Sequence, residues 1–180
     1  MSVADAIDRR FGTWRGLVRL ALSYAQAPAV PKADLGKVQR LVFVCHGNIC
    51  RSAYADVLAR NLGLNAASFG LSTATGKPAH PPIVAVAREM SVDLESHRST
   101  RVEDFVPLPG DLLLVMEVRQ IARLRSDPRF DGTPIDLLGR WAGTPHLHDP
   151  YDLSEGYVRT SLTRIDRAVR ALAKAVRAVS

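Results

Sequence analysis

The chain has 180 residues, enough for one domain that buries a core without disulfide or metal staples. Its hydrophobic fraction of 47% and charged fraction of 23% exclude an intrinsically disordered chain, and 12 Gly with 11 Pro exclude a fibrous one. The net charge of +6 belongs to the two ends, because residues 1–38 carry +3, residues 155–180 carry +4 and the middle carries −1. Bulk charge therefore does not explain what the middle binds, and nucleic acid is not an expected partner.

Compartment is indicated by the cysteines and by the absence of long apolar runs. Cys45 and Cys50 are too few for the disulfide framework of a secreted domain. No apolar run in the sequence reaches the about 18 residues of a membrane span. We therefore expect a cytoplasmic protein in which the cysteines have a chemical role.

The first 38 residues are predicted to form a separate N-terminal unit, followed by a second unit over residues 39–180. Residues 3–24 predict one amphipathic helix, and residues 25–37 predict a linker containing Pro28, Pro31 and Gly36. We expect this helix to fold back on the domain or on a second copy of the chain. Contact with a membrane surface is the less favoured alternative. The apolar face comprises Ile7, Phe11, Trp14, Leu17, Val18, Ala21 and Leu22.

From residue 40 onwards, short apolar runs alternate with segments of helical periodicity. This alternation predicts right-handed βαβ units, and hence an α/β fold with a parallel sheet covered by helices on both faces. Strands are predicted over 40–44, 67–73, 111–116 and 133–138, and helices over 53–62, 82–90, 117–125 and 155–179.

The segment from Cys45 to Ser52 lies between the first predicted strand and the following helix, where open parallel sheets bind ligands. Gly47 and Asn48 tolerate the positive φ values that turn successive backbone N–H groups inward. With the free amides of the helix start, such a loop can bind a tetrahedral oxyanion. Arg51 adds a planar fork of donors for two phosphate oxygens.

Cys45 stands at the end of the strand, inside this electropositive loop, where the thiolate is favoured over the thiol. Ser52 can donate a hydrogen bond to the sulfur. The two residues therefore predict a nucleophilic cysteine beside a phosphate-binding loop. An inert buried cysteine is the less favoured interpretation.

The run Val44-Cys-His-Gly-Asn-Ile-Cys-Arg-Ser52 resembles the signature loop of low-molecular-weight protein tyrosine phosphatases. The similarity extends from about residue 41 to residue 176 and includes the Asp149-Pro-Tyr151 motif. The sequence is similar to bacterial members of the family that are associated with exopolysaccharide or capsule export. The resemblance implies a flavodoxin-like, three-layer sandwich with a four-stranded parallel sheet in the order 2-1-3-4. The predicted N-terminal helical extension has no counterpart in the family pattern.

The same resemblance implies a metal-independent hydrolysis of phosphotyrosine through a phosphocysteine intermediate. Cys45 would be the nucleophile, Arg51 would bind the phosphoryl oxygens, and Asp149 would act as general acid and then general base. No cofactor and no metal are expected. The expected phosphate-binding residues are His46, Gly47, Asn48, Ile49, Cys50, Arg51 and Ser52.

Supporting roles follow from the resemblance as well. Ile49 and Tyr151 would form the wall against the substrate ring, and Cys50 would be the second cysteine of a reversible disulfide. The loop over residues 72–79 looks shorter than its family counterpart. The resemblance assigns no role to Glu117. The residues expected to hold the phosphate-binding loop in shape are Asn48, Ser52, Ser72 and His97.

The alternatives differ in substrate or in class. A protein arginine phosphatase of the same family typically has threonine where Ile49 stands, and an arsenate reductase would need further cysteines. A non-catalytic phosphate-binding module would be expected to lack Cys45, Arg51 or Asp149, and all three are present. The expected partner is a phosphotyrosine-containing protein, for example a bacterial tyrosine autokinase, and self-association stays an alternative.

Overall fold

The computed structural model describes residues 3–30 and 32–179, without the side chains of residues 3, 4, 6 and 28. Pro31 of the predicted linker lies outside them. One parallel sheet has the strand order β2-β1-β3-β4, which confirms the order expected from the sequence. The strands are β1 (Arg40–Cys45), β2 (Ala66–Gly70), β3 (Asp111–Val115) and β4 (Ile135–Leu137).

Both faces of the sheet are covered, so the central strands are buried on both sides. Leu41 and Phe43 of β1 point into a core shared with three helices, whereas Val42 and Val44 point into a second core on the opposite face. The second core contains Phe69, whose ring centroid lies 4.5 Å from that of Phe105 and 5.6 Å from that of Phe130. This is the predicted three-layer sandwich.

The helices follow the sequence pattern with small shifts at their ends. Glu117 is the N-cap residue of the helix after β3, where the sequence predicted the first helical residue. The helices are α1 (Val3–Phe11), α2 (Trp14–Gln26), α3 (Arg51–Asn61), α4 (Pro81–Glu89), α5 (Val118–Arg125) and α6 (Glu155–Arg177). Short 3₁₀ helices span Ala27–Ala29, Leu35–Lys37, Val102–Asp104, Pro128–Phe130 and Leu138–Ala142.

The prediction of one continuous helix over residues 3–24 is wrong. The chain breaks at Gly12, whose φ of +73° belongs to the left-handed region that glycine tolerates. Thr13 then caps α2, because its side-chain oxygen accepts a hydrogen bond from the Gly16 N–H at 3.0 Å. The apolar residues keep their helical spacing across this break, so the sequence pattern predicts one helix where the structure has two.

The break also divides the predicted apolar face. Phe11 and Leu17 are half-buried, but Trp14, Val18 and Leu22 are exposed. The two helices fold back on the rest of the chain, as expected. The backbone carbonyl oxygens of Arg9 and Arg10 in α1 accept hydrogen bonds from Thr160 and Arg164 of α6, at 2.8 and 2.6 Å. Across the described residues, we find no helix whose length and hydropathy suit a membrane crossing.

An ion pair fixes the register of β1 against β3. Arg40 and Asp111 are directly opposite each other at the start of the two strands. The guanidinium donates to both carboxylate oxygens, with Nε–Oδ1 and Nη2–Oδ2 distances of 2.7 and 2.8 Å. Asp111 also accepts the Leu108 N–H at 2.8 Å, and its side chain is fully buried. Removal of a buried carboxylate that accepts this many hydrogen bonds strongly destabilises the fold.

We expect Asp111→Ala to lower the free energy of unfolding by about 3 kcal/mol, because Arg40 loses its partner while it stays partly buried. Urea denaturation at neutral pH measures this change. Glu103→Ala, at an exposed ion pair with Arg101, serves as the control and should change stability by less than about 0.5 kcal/mol. Equal effects of the two substitutions would contradict the role given to Asp111.

Candidate active site

The loop of residues 45–52 begins where β1 ends and closes on the first turn of α3. Cys45 is buried at the strand end, and Asn48 takes a φ of +52°. Asparagine is among the few residues that adopt this conformation readily, which allows the backbone to curl around the sulfur. The backbone N–H of Asn48 points at the Cys45 Sγ, with a nitrogen–sulfur distance of 3.2 Å.

The sulfur of Cys45 has a hydroxyl partner. Ser52 Oγ lies 2.9 Å from Cys45 Sγ, and the same oxygen accepts a hydrogen bond from Asn48 Nδ2 at 2.9 Å. With the Asn48 amide supplying that bond, the Ser52 proton is free to point at the sulfur. The arrangement places two hydrogen-bond donors on the Cys45 sulfur.

The hydroxyl that extends this network is that of Ser68, which the sequence did not predict, whereas the predicted Ser72 contacts the loop through its backbone. Asn48 Nδ2 donates to Ser68 Oγ at 2.9 Å, and Ser68 donates in turn to Asp56 Oδ2 at 2.9 Å. Ser72 has an exposed side chain, and it supports the loop only through its backbone N–H, which donates to the His46 carbonyl oxygen at 2.8 Å. Ser68 lies in the middle of β2, so its neighbours in sequence gave no sign of this contact.

Of the other predicted support residues, His97 contacts the loop at Asn48. His97 Nε2 is 2.7 Å from the Asn48 carbonyl oxygen, and since a carbonyl only accepts, that nitrogen carries the proton. Burial lowers the pKa of His97, which keeps the imidazole neutral. The backbone N–H of Thr100 donates to Asn48 Oδ1 at 2.8 Å. Asn48 is therefore fixed through both its backbone and its side chain.

Gly70, at the end of β2, lies directly against the loop. A Cβ atom at this position would lie 2.9 Å from the Gly47 carbonyl carbon and 3.0 Å from the Asn48 nitrogen. Both neighbours are backbone atoms, so any side chain there would displace the phosphate-binding loop.

Arg51 is fully buried and is held by partners from two distant segments. Its Nη1 donates to Glu117 Oε1 at 2.7 Å and to the Leu147 carbonyl oxygen at 2.9 Å. Its Nη2 donates to Asp149 Oδ2. Arg51 Nε has no hydrogen-bond partner among the described residues, which leaves a buried donor at the loop. The structure thus brings Cys45, Arg51 and Asp149 together.

Glu117 is a second residue of this site that the sequence reasoning missed. It is 1% exposed, and the Arg51 and Arg119 guanidinium groups both contact its carboxylate. Burial alone would raise the pKa of Glu117, but the two arginines lower it to about 2. The available signal was its position, since an acidic residue directly after a buried parallel strand lies at the edge where ligands bind.

The pocket above the sulfur has one aromatic wall. Its lining includes the predicted residues His46, Gly47, Ile49, Cys50, Asp149 and Tyr151, together with Ser72, Thr73 and Lys77. Tyr151 is half-exposed, and its ring centroid lies 4.7 Å from that of His80. A flat ring on a substrate could therefore stack beside Tyr151 above the sulfur.

Cys50 is buried at the N-cap position of α3. Burial raises the pKa of the Cys50 thiol, which keeps this sulfur protonated, and both cysteines are free thiols in this structure. The disulfide expected from the resemblance stays a prediction. In residues 3–30 and 32–179, no three His, Cys, Asp or Glu side chains are grouped so as to hold a metal ion.

Residues 40–179 match the model of one protein family, described as low molecular weight phosphotyrosine protein phosphatase. The chain belongs to that family. The match begins at β1 and excludes the N-terminal helices. It confirms the resemblance and the prediction of a phosphatase.

Relatives and solved structures agree with this assignment. The low molecular weight protein-tyrosine-phosphatase Wzb of Escherichia coli K12 is 34% identical over 141 residues, which cover 77% of this chain and 95% of that protein. The structure of Vibrio vulnificus Wzb in complex with benzylphosphonate is 30% identical with a TM-score of 0.67, and the match covers 76% of this chain and 98% of that one. The YwlE arginine phosphatase of Geobacillus stearothermophilus has a TM-score of 0.65 at 23% identity, over 78% of this chain and 94% of that one, and shows the fold alone.

We expect Glu117→Gln to lower the free energy of unfolding of the phosphatase most at neutral pH and least in acid. The folded protein holds the Glu117 pKa at about 2, below the value of 4.5 of the free side chain. The ion pair therefore stabilises the fold fully above pH 4.5, and this stabilisation is lost as the pH falls toward 2. The urea midpoints of wild type and variant should converge as the pH falls across this range. Midpoints that keep the same difference at every pH would contradict the ion pair assigned to Glu117. As a control at pH 7, Glu103→Gln at the exposed surface should change stability by less than about 0.5 kcal/mol.

Proposed function

We propose that this phosphatase hydrolyses phosphotyrosine in proteins through a phosphocysteine intermediate. The observation that carries the proposal is the position of the Cys45 sulfur, which has the Asn48 N–H at 3.2 Å and the Ser52 hydroxyl at 2.9 Å. Asp149 lines the same pocket, and the buried Arg51 donates a hydrogen bond to its carboxylate. A nucleophile and a carboxyl group therefore face one pocket, with a fixed cation directly behind the carboxyl group.

In the first step, the Cys45 thiolate attacks phosphorus, the S–P bond forms and the bond from phosphorus to the tyrosyl oxygen breaks. Asp149 gives its proton to that oxygen, so that tyrosine leaves as a neutral phenol. The loop amides and Arg51 bind the equatorial oxygens, whose charge they stabilise in the transition state. Asp149 leaves this step as a carboxylate.

In the second step, water attacks the phosphorus of the phosphocysteine, and Asp149 accepts a proton from that water. The S–P bond breaks, the Cys45 thiolate is regenerated and inorganic phosphate leaves. Ser52 stabilises the thiolate as a leaving group through its hydrogen bond to sulfur. Water supplies the only additional reactant, so that atoms and charge balance over the cycle.

The walls of the pocket favour an aromatic phosphate ester. Ile49 and Tyr151 lie on the lining, and together they offer an apolar and an aromatic surface to a substrate ring. Benzylphosphonate, with which Vibrio vulnificus Wzb is in complex, likewise carries a tetrahedral anion on an aromatic group. We propose a phosphotyrosine-containing protein as the partner, a bacterial tyrosine autokinase in particular, and a cytoplasmic location.

We expect Cys45→Ser to abolish hydrolysis of a phosphotyrosine peptide, because serine is not ionised at neutral pH. Asp149→Asn should lower kcat/KM by about 10²- to 10⁴-fold, the usual contribution of a general acid. Phosphate release in the presence of a chelator measures both. Asp152→Asn, at an exposed carboxylate three residues away, is the matched control and should keep activity within about threefold.

Two outcomes of this experiment would overturn the proposal. Full activity of Cys45→Ser would place the nucleophile elsewhere. Wild type that binds the peptide without releasing phosphate would indicate a non-catalytic phosphate-binding module.

Substitutions of Ile49 test whether the preferred substrate is phosphotyrosine or phosphoarginine. We expect wild type to prefer the tyrosine peptide, measured as the ratio of the two kcat/KM values. Ile49→Thr should lower this ratio, because its hydroxyl favours a guanidino leaving group over an apolar ring. Ile49→Val, which has nearly the shape of threonine without the hydroxyl, should keep it. A wild-type preference for phosphoarginine would reverse the assignment of substrate.

A further inference from the structure

Asp149 lies on a segment that has no regular secondary structure. We define residues 143–154 as the acid loop, which runs from the end of the 3₁₀ helix Leu138–Ala142 to the start of α6. The Gly143 and Thr144 N–H groups donate to the carbonyl oxygens of Arg140 and Gly139, at 3.1 and 2.9 Å. Further along, the Leu147 N–H donates to the Met116 carbonyl oxygen at 2.9 Å and the Leu153 N–H donates to the Pro150 carbonyl oxygen at 3.2 Å. The stretch around Asp149 therefore has little backbone pairing and depends on its neighbours for a fixed position.

The N-terminal helices contact both ends of the acid loop. At its start, the Tyr24 hydroxyl of α2 donates to the Gly143 carbonyl oxygen at 2.8 Å. At its end, the Ser154 hydroxyl donates to Asp8 Oδ2 of α1 at 2.5 Å. Arg140, just before the loop, donates to the carbonyl oxygens of Ala27 and Val30 at 2.6 and 2.8 Å.

The middle of the acid loop is contacted by the junction between α1 and α2. A Cβ atom at Gly16 would clash with the Phe11 carbonyl oxygen and would lie 3.3 Å from the ring of His148, the residue directly before Asp149. A Cβ atom at Gly12 would lie 2.8 Å from Leu153 and 2.7 Å from Tyr157. Gly12 therefore allows a close approach to the end of the acid loop, and Gly16 allows α2 to pack against both the end of α1 and the ring of His148.

We propose that residues 3–30 position the general acid, by holding the acid loop so that Asp149 faces Arg51 and the sulfur of Cys45. These residues lie outside the range that matches the family, so this is a contribution of the added segment to the chemistry of the family domain. The inference rests on the proposed function, because it assigns a task to Asp149. Asp8, Gly12, Gly16 and Tyr24 are then positioning residues.

A misplaced general acid has a specific kinetic signature. An ester of an acidic phenol leaves without much help from a proton, whereas an ester of a phenol with the pKa of tyrosine, about 10, needs one. Loss of the acid therefore steepens the dependence of kcat/KM on the leaving group. A variant that is only less stable would lower kcat/KM equally for all esters.

The experiment compares 4-nitrophenyl phosphate with phenyl phosphate in the full-length chain. Gly16→Leu should lower kcat/KM for phenyl phosphate by about tenfold and for 4-nitrophenyl phosphate by less than about threefold. The inhibition constant of inorganic phosphate should stay within about twofold, because the phosphate-binding loop is untouched. Ala21→Leu places the same side chain at an exposed position of the same helix. This control should leave kcat/KM unchanged for both esters.

If Gly16→Leu does not fold, the double variant Asp8→Ala with Tyr24→Phe removes a hydrogen bond at each end of the acid loop without adding bulk. It should steepen the leaving-group dependence in the same direction. An equal loss for both esters, or no loss, in the folded variant overturns the inference and leaves the proposed function intact. Wild type that hydrolyses neither ester overturns the proposed function, and the inference falls with it.

Discussion

The buried guanidinium of Arg51 is the group on which the arrangement of the site depends. A charge with no exposed surface is stable only when it has partners, and removal of one partner from such a group is costly. Its partners come from the end of β3, through Glu117, and from the acid loop, through the Leu147 carbonyl and Asp149. One side chain therefore ties the phosphate-binding loop to the start of α5 and to the acid loop, whose Asp149 and Tyr151 line the pocket. Nε remains as a donor for an anion.

The loop around Cys45 is held by a second, neutral network. Asn48 is at its centre, with its side chain between Ser52, Ser68 and the Thr100 N–H and its carbonyl oxygen on His97. Such a fixed set of dipoles needs no reorganisation when negative charge develops in the pocket. The charged network of Arg51 and the neutral network of Asn48 both hold the same eight-residue loop.

Most of the fold and the core of the site could be predicted from the sequence, because both rest on local patterns. Buried strands, their helices and the loop of residues 45–52 each occupy a continuous stretch of chain. Two contacts between distant segments were missed. Ser68 supports the loop from the middle of β2, and Glu117 reaches Arg51 across 66 positions. The break at Gly12 was missed for another reason, since the apolar period continues through it and only the backbone φ reveals it.

The central claim is that the sulfur of Cys45 carries the phosphoryl group during turnover. Its most direct test is rapid acid quenching of the enzyme with a phosphotyrosine peptide, followed by mass spectrometry of the digested protein. The account predicts a phosphoryl adduct on the peptide that contains Cys45, located on that sulfur by fragmentation, and its decay on the timescale of turnover. An adduct on Cys50 or on a histidine, or turnover that proceeds with no covalent adduct at any quench time, would contradict it.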